Sequence, residues 1–409
     1  MFIVKSIEET LNIIKSNFND YALKTKIIKI DDALHYVSKN DIYSKENVPH
    51  FNRSIVDGYA VDYNSVKLAS NSTPAILKLV GEVEMGMEAK YEVSPNTTVY
   101  VPTGGHLPTG ANAVVMIENT DQLNDQIFIN KGVSMNENTF HKGTDIAKDE
   151  LVLKKNTFIT PLVIGTLKSL GIREIEVYQR LSVSIISTGD EIVGDVESLN
   201  IGEIRDINTY TIKNKLITNH FVINEVSIIK DDFIAYQDAV KKGFLTSDIV
   251  ISSGGSSVGE KDYTFDILQN MGANVLVHGV NIKPGKPTVI AKYQHKLFLG
   301  LPGQPTSAYV VLNTLLKTIY NTIYQIDKPI INTYVEATLD TNIHSVSGRQ
   351  LYQIVKLSMN QENKIVATPL FAKSGMIKAL QQADGYIIIS DLTEGVTAQS
   401  IVKVYGFGD

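Results

Sequence analysis

The spacing of apolar positions changes character several times along the chain. Over residues 6–21, Ile7, Leu11, Ile14 and Phe18 fall on one helical face, and Ser6 with Glu9 forms an S-x-x-E capping box. This predicts a surface helix whose stripe packs on the core; a stripe facing a second subunit is the alternative. From about residue 48 short alternating segments take over at 75–83, 98–101 and 113–117, separated by Gly, Pro and Asn, which predicts a small β domain to residue 146. Within it, 102–110 is too rich in Pro, Gly and Thr for an element and reads as a loop. Residues 150–178 return to helix-like spacing (Leu162, Ile164, Leu167, Leu170), ending at Gly171. The β segment is therefore expected to interrupt a discontinuous helical or linking domain formed by 1–47 and 147–178.

From Leu181 strands and helices alternate. Strands are expected at 183–186, 222–229, 249–251, 275–277 and 297–299. The helices between them carry Ile212 and Leu216, span 233–242, run from Phe265 to Gly272, and extend to about residue 325. Such alternation implies a mostly parallel sheet with right-handed crossovers. Its Gly-, Pro- and Asp-rich loops each follow a strand, so they gather at the carboxyl edge, where open α/β sheets bind ligands. Beyond residue 330 the pattern is strand only: 334–339, 351–357, 364–367, 386–389 and 401–405. The fold class is multidomain α/β plus β. An α/β domain spans 179–327, with the inserted β domain at 48–146 and a C-terminal β domain at 328–409.

Composition narrows the possibilities. A chain of 409 residues exceeds one ordinary core. A net charge of −6 argues against general nucleic-acid binding, which needs a basic surface. With no cysteine, disulfides, thiolate metal sites and cysteine nucleophiles are excluded, and the eight histidines show no zinc-site spacing. The N-terminus lacks a signal-peptide pattern and no apolar run would span a bilayer, so a cytoplasmic protein without membrane or nucleic-acid partners is expected.

The chemistry concentrates at 248–263. A β-branched run, Ile249 to Ile251, leads into Ser253-Gly254-Gly255-Ser256-Ser257-Val258-Gly259-Glu260-Lys261-Asp262, and then a helix. Glycines let backbone approach a phosphate, and the helix start offers free N–H groups. Gly255 to Gly259 also fits a G-x-S-x-G nucleophile elbow, making Ser257 a candidate hydrolase nucleophile; the adjacent Glu260 and Asp262 would oppose a developing oxyanion. Gly254-x4-Gly259 lacks the Lys-Ser/Thr of a P-loop. A third reading takes the edge loops together. Asp190, Glu191, Asp206, Asp231, Asp232, Glu260 and Asp262 repel one another unless a cation such as Mg²⁺ sits among them. Lys283 and Lys286 flank a Pro-Gly turn as point charges for an oxyanion. Together these describe Mg²⁺-assisted chemistry on a phosphate anhydride or comparable oxyanion. Asp57 and Asp145, taken alone, are more often turn formers than ligands.

Ordered motifs then carry a resemblance: Ile-Val-Asp-Gly-Tyr-Ala (55–60), Pro-Thr-Gly (102–104), Gly-Thr-Asp-Ile (143–146), Ser-Thr-Gly-Asp-Glu (187–191), Asp-Ile-Asn (206–208), the 253–263 loop, Lys-Pro-Gly-Lys-Pro (283–287) and Leu-Pro-Gly-Gln-Pro-Thr-Ser (301–307). The set resembles molybdopterin molybdotransferases, the MoeA proteins, seen also as the E domain of gephyrin. The resemblance implies insertion of molybdate into adenylylated molybdopterin with release of AMP, a divalent cation, and an elongated four-domain homodimer. Its third domain would be MogA/MoaB-like, as in the adenylyl-transferring partner enzyme; that adenylyltransferase and molybdoenzyme apoproteins are implied partners. By position, Asp57, Thr103, Asp145, Glu191, Asp231, Asp262, Lys283 and Lys286 match functional residues, with Glu191, Asp231 and Asp262 the implied metal ligands. Gly254, Gly255, Ser256, Ser257, Gly259, Asp206, Pro287, Pro302, Pro305, Ser307, Arg349 and Ser374 match cofactor contacts. Asp57 and Asp145 would meet the third-domain loop of the other subunit. Two departures stand out: Gln304 replaces the usual asparagine, and Arg349 lacks a second basic neighbour. A scaffold that holds molybdopterin without chemistry is the remaining alternative, against which the retained carboxylates argue.

Overall fold

The computed structural model describes residues 4–255, 263–346 and 348–407. The chain divides into two compact units, one of residues 1–39, 156–160 and 174–409, the other of residues 40–155 and 161–173.

The first unit is built on a six-stranded sheet. Its strands are β1 (Ser182–Thr188), β2 (Val222–Ile229), β3 (Ile249–Ser253), β4 (Asn274–His278), β5 (Val289–Tyr293) and β6 (Lys296–Leu301), in the spatial order β2-β1-β3-β6-β5-β4. The pairings β2/β1, β1/β3 and β3/β6 are parallel, while β5 and β4 add antiparallel. Strand β5 escaped the sequence reading because its apolar residues follow the Pro-Gly turn without a helical interval. Only Gln294 and His295 separate it from β6, so the two pair antiparallel as a hairpin. Helices α1 (Asn208–Thr218), α2 (Phe233–Thr246), α3 (Tyr263–Asn270) and α4 (Pro305–Ile323) complete the layer. Twelve of the nineteen residues of α4 are buried, from Thr306 to Ile323. A helix apolar over most of its circumference belongs inside. Truncating one of its fully buried leucines, Leu312, would cost about 2–5 kcal/mol.

The N-terminal helix Ile7–Asn17 carries the expected capping box, with Ser6 and Glu9 reciprocally bonded. Ile14 and Phe18 are buried in the same core as α4, so the stripe is core-facing. Residues 150–178 depart from the helix-like reading. Only Pro161–Ser169 is helical, flanked by strands Leu151–Leu153 and Glu174–Tyr178. The burial of Ile175 and Val177 alternates with more exposed neighbours, a two-residue period that a helical count smooths over.

The C-terminal strands are β7 (Tyr334–Leu339), β8 (Gln350–Met359), β9 (Ile365–Pro369), β10 (Gly385–Ile389) and β11 (Ile401–Gly406). The ring β8-β9-β7-β11-β10 closes through the β8/β10 pairing, making a five-stranded barrel. Its interior is filled by Leu339, Val355, Ala367, Ile387 and Val404. Closure leaves no open edge among these five strands. Tyr352, Ile354 and Tyr386 of the barrel share the main core with α4.

The second unit is a sheet of 113–116, 58–61, 97–101, 75–82, 126–129 and 120–123 in that spatial order. Only the pairing of 75–82 with 97–101 is parallel. Two strand pairs, 42–43 with 151–153 and 53–54 with 139–140, belong to the same unit. Among the described residues no helix is long and apolar enough to cross a membrane.

Candidate active site

The carboxyl ends of β1, β3 and β6 converge as expected of a parallel sheet. At the end of β3, Gly254 (φ +96°) and Gly255 (φ +68°) adopt conformations that side chains disfavour. A Cβ on Gly254 would lie 2.4 Å from the Thr188 carbonyl oxygen at the end of β1, so only glycine lets these two loops meet. Asn208, at the start of α1, ties the same edge to β6. Its buried Nδ2 donates to Ser253 Oγ and to the Gly303 carbonyl, both at 2.8 Å. Pro302 is buried, and its carbonyl accepts from Ser253 Oγ at 3.4 Å. Pro305 begins α4 and Ser307 is buried in its first turn.

Among the described residues, four polar atoms at this edge are buried without a hydrogen-bond partner: Thr188 Oγ1, Asp206 Oδ2, Asn208 Oδ1 and Thr209 Oγ1. Their residues are at most 7% exposed. Leaving a buried polar group unpaired costs about 1–3 kcal/mol, so a group of four marks a place prepared for polar ligand atoms or water. The sequence reading passed over Thr188, Asn208 and Thr209. The Asp-Ile-Asn motif was the available signal, and only burial shows that its asparagine holds the loops together. Asp206 itself caps Thr209 through Oδ1 at 3.1 Å.

The acidic set separates by role. Asp232 caps α2, accepting from the Ala235 N–H at 2.7 Å, a structural task. Asp190 accepts the Asp231 N–H at 3.1 Å. Asp231 is held above the ordinary carboxylate range, first by desolvation and then by the charges of Asp190 and Glu191. That repulsion is the condition a cation would relieve. Even so, among the described residues no three His, Asp or Glu side chains are grouped to hold a metal ion. Asp262, Glu260, Ser256, Ser257 and Gly259 lie outside the described residues.

On the other flank, the 281–288 turn is pinned against α4. Gly285 (φ +121°) sits so close that a Cβ would be 2.5 Å from Val311 Cγ2, and Thr288 Oγ1 donates to the Gly285 carbonyl at 2.7 Å. The turn leaves Lys283 exposed and Lys286 and Pro287 half-buried. Ile282 and Lys283 pair in parallel with Gln350 and Leu351, and Asn281 Nδ2 donates to the Gly348 carbonyl at 2.9 Å. Arg349, exposed between Gly348 and Gln350, is thereby carried next to the lysine turn. The barrel makes a second approach, where the Thr306 N–H donates to the Ser374 carbonyl at 3.1 Å. A Cβ on the adjoining Gly375 would lie 2.6 Å from Gln304 Oε1. Two barrel loops therefore border the α/β edge, bringing Arg349 and Ser374 beside Lys283 and Ser307 respectively.

Asp57, Thr103 and Asp145 belong to the second unit. The Thr103 N–H donates to Asp57 Oδ1 at 2.7 Å, and both side chains are exposed. Asp145 is exposed in the 141–146 turn, its N–H donating to the Val48 carbonyl at 3.1 Å. Asn52 Oδ1 accepts the Lys142 N–H at 2.8 Å, which laces that turn to the segment leading into Asp57.

Three family models match the chain in order. The MoeA N-terminal region (domain I and II) matches residues 5–171, a "Probable molybdopterin binding domain" matches 184–321, and the MoeA C-terminal region (domain IV) matches 336–407. A Methanocaldococcus jannaschii protein described as "Putative molybdopterin biosynthesis protein" is 33% identical over 98% of this chain and 97% of its own length. The molybdopterin molybdenumtransferase of Haemophilus influenzae is 30% identical over 95% of each. Among solved structures, a molybdopterin biosynthesis MoeA protein from Pyrococcus horikoshii superposes with a TM-score of 0.83 at 26% identity, covering 98% of this chain and 100% of that one. With its sheet, barrel, inserted unit and motifs all in that order, this chain belongs to the MoeA family.

Proposed function

We propose that the protein is a molybdopterin molybdotransferase, inserting molybdate into adenylylated molybdopterin and releasing AMP to give molybdenum cofactor. The observation that carries the reading is the meeting of two chemistries at one sheet edge. Glycine loops at the ends of β1 and β3 and orphaned polar atoms of Thr188 and of the start of α1 lie at this edge, and a lysine turn bordered by Arg349 lies beside them. The first suits a phosphorylated, hydrogen-bonding ligand; the second suits a compact oxyanion such as molybdate.

In this reading Gly254, Gly255, Asp206, Pro302, Pro305 and Ser307 shape the cofactor seat. Lys283 and Lys286, with Pro287, Arg349 and Ser374, hold the oxyanion. Cleaving the adenylyl anhydride adds one water across the P–O–P link, and the Asp57–Thr103 pair and Asp145 of a second subunit would complete the site in a homodimer. Mg²⁺ would be held by Glu191, Asp231 and Asp262, where it supplies positive charge for the anhydride oxygens. The domain division into 1–47 with 147–178, 48–146, 179–327 and 328–409 belongs to the same proposal. So do an adenylyltransferase and recipient apoproteins as partners.

The test is incubation with adenylylated molybdopterin, Mg²⁺ and molybdate. AMP release that requires molybdate supports the reading. No release, or release indifferent to Asp57→Ala and Asp262→Ala, would overturn it.

A further inference from the structure

The opposite edge of the same sheet holds a cavity of about 520 Å³, formed where β1, β2, β3 and β6 begin. Four cationic side chains line it, Lys24, Lys26, Arg180 and Lys296, against one carboxylate, Asp248. On a protein of net charge −6 such an excess of positive charge is out of keeping with the whole.

The carboxylate is already engaged. Asp248 Oδ1 accepts from Tyr21 Oη at 2.6 Å, and Oδ2 accepts from Ser182 Oγ at 2.6 Å and the Ser182 N–H at 2.8 Å. Among the described residues none of the four cations is paired with a carboxylate, although Lys296 Nζ donates to the Phe244 carbonyl. Arg180 Nε is buried without a partner, and among the described residues its guanidinium makes no hydrogen bond or ion pair. It lies 4.5 Å from the centroid of the Tyr36 ring, and Lys26 Nζ lies 4.6 Å from the same centroid while donating to Tyr36 Oη at 2.9 Å. Two like charges therefore share one ring with no carboxylate paired to either. The same charge reaches His35, which is lowered first by burial and then by Arg180.

A guanidinium fork with free donors, two ammonium groups nearby and a polar, walled space are what a tetrahedral dianion requires. We propose that this cavity is an anion site for a terminal phosphate group, separate from the carboxyl-edge site. Arg180 supplies the paired N–H donors, and Lys24 and Lys26 supply the remaining charge. The volume exceeds that of a bare phosphate, leaving room for the organic part of a small phosphate monoester.

The experiment is isothermal titration of the full-length protein at fixed ionic strength, first with inorganic phosphate, then with glycerol phosphate. Saturable binding is expected, and tighter binding of the ester than of phosphate identifies a monoester as the ligand; equal affinity identifies the free anion. Arg180→Gln should weaken either about tenfold or more, the usual scale for a charge-assisted contact. Should Arg180→Gln fail to fold by circular dichroism, the exposed pair Lys24→Gln and Lys26→Gln carries the same expectation. Absence of saturable binding, affinity unchanged in these variants, or affinity abolished by Lys283→Ala with Lys286→Ala overturns the proposal.

Discussion

Asp57 and Thr103, 46 positions apart, are joined by a 2.7 Å hydrogen bond from a backbone N–H to a carboxylate. The bond fixes where the carboxylate points while leaving it open to solvent. Asp57→Asn keeps an acceptor oxygen for that N–H and removes the charge. We expect its melting temperature to stay near that of the wild type while molybdate-dependent AMP release falls by at least tenfold. Asp57→Ala should lose the same activity and in addition about 1 kcal/mol of stability in urea unfolding.

Asn208 makes the strongest test of the loop architecture. Its truncation to alanine removes both donations, leaving buried Ser253 Oγ with only its long bond to the Pro302 carbonyl and cutting the tie to the Gly303 carbonyl. A loss of about 1–3 kcal/mol in urea unfolding is expected, with AMP release lost at temperatures where the variant is still folded. A variant as stable and active as the wild type would show that the β3 and β6 loops need no such tie.

Gly254→Ala places a methyl group 2.4 Å from the Thr188 carbonyl oxygen at a φ of +96°. The strain is of order 1–3 kcal/mol, and the loops must separate to relieve it. Equilibrium unfolding should register the cost, and AMP release should fall further than stability alone accounts for.

Asp231 provides a pH signature. Burial and the neighbouring charges of Asp190 and Glu191 raise its folded pKa above the unfolded value. A group raised in this way favours folding while protonated and loses that contribution as pH rises through the folded pKa. Asp231→Asn should therefore melt higher than the wild type at neutral pH, with the two converging below the ordinary aspartate range. Added Mg²⁺ should raise the wild-type melting temperature more than that of Asp231→Asn; an equal response would remove Asp231 from the proposed metal set.

Much of the architecture was legible in the apolar spacing. All five barrel strands lie where the apolar spacing places them; β11 keeps a two-residue burial period, whereas β8 and β10 are buried on both faces, Tyr352, Ile354 and Tyr386 facing the main core. The capping box over Ser6 and Glu9 is a local contact, readable without knowing the fold. The strand at Glu174–Tyr178 was not legible, since a partner distant in sequence, Thr25–Lys29, decides it; strand β5 was not legible because no helical interval sets it off from the Pro-Gly turn before it or from its hairpin neighbour after it. At the site, residue types and motif order pointed to Lys283, Asp231 and Gly254, whereas Asn208 and Thr188 emerged only from burial. Asp232 shows the reverse case. Its place in an acidic run suggested a ligand, and its hydrogen bond to Ala235 makes it a helix cap.

The barrel ring is not uniform around its circumference. β7 pairs with β9 through only two residue pairs, Thr338 with Val366 and Leu339 with Ala367, while β7 with β11 and β8 with β10 are each joined by five. A ring opens where its ladder is shortest. In amide hydrogen exchange, protection along 365–367 should therefore decay before that along 401–405, making this seam the latch from which the C-terminal domain unzips.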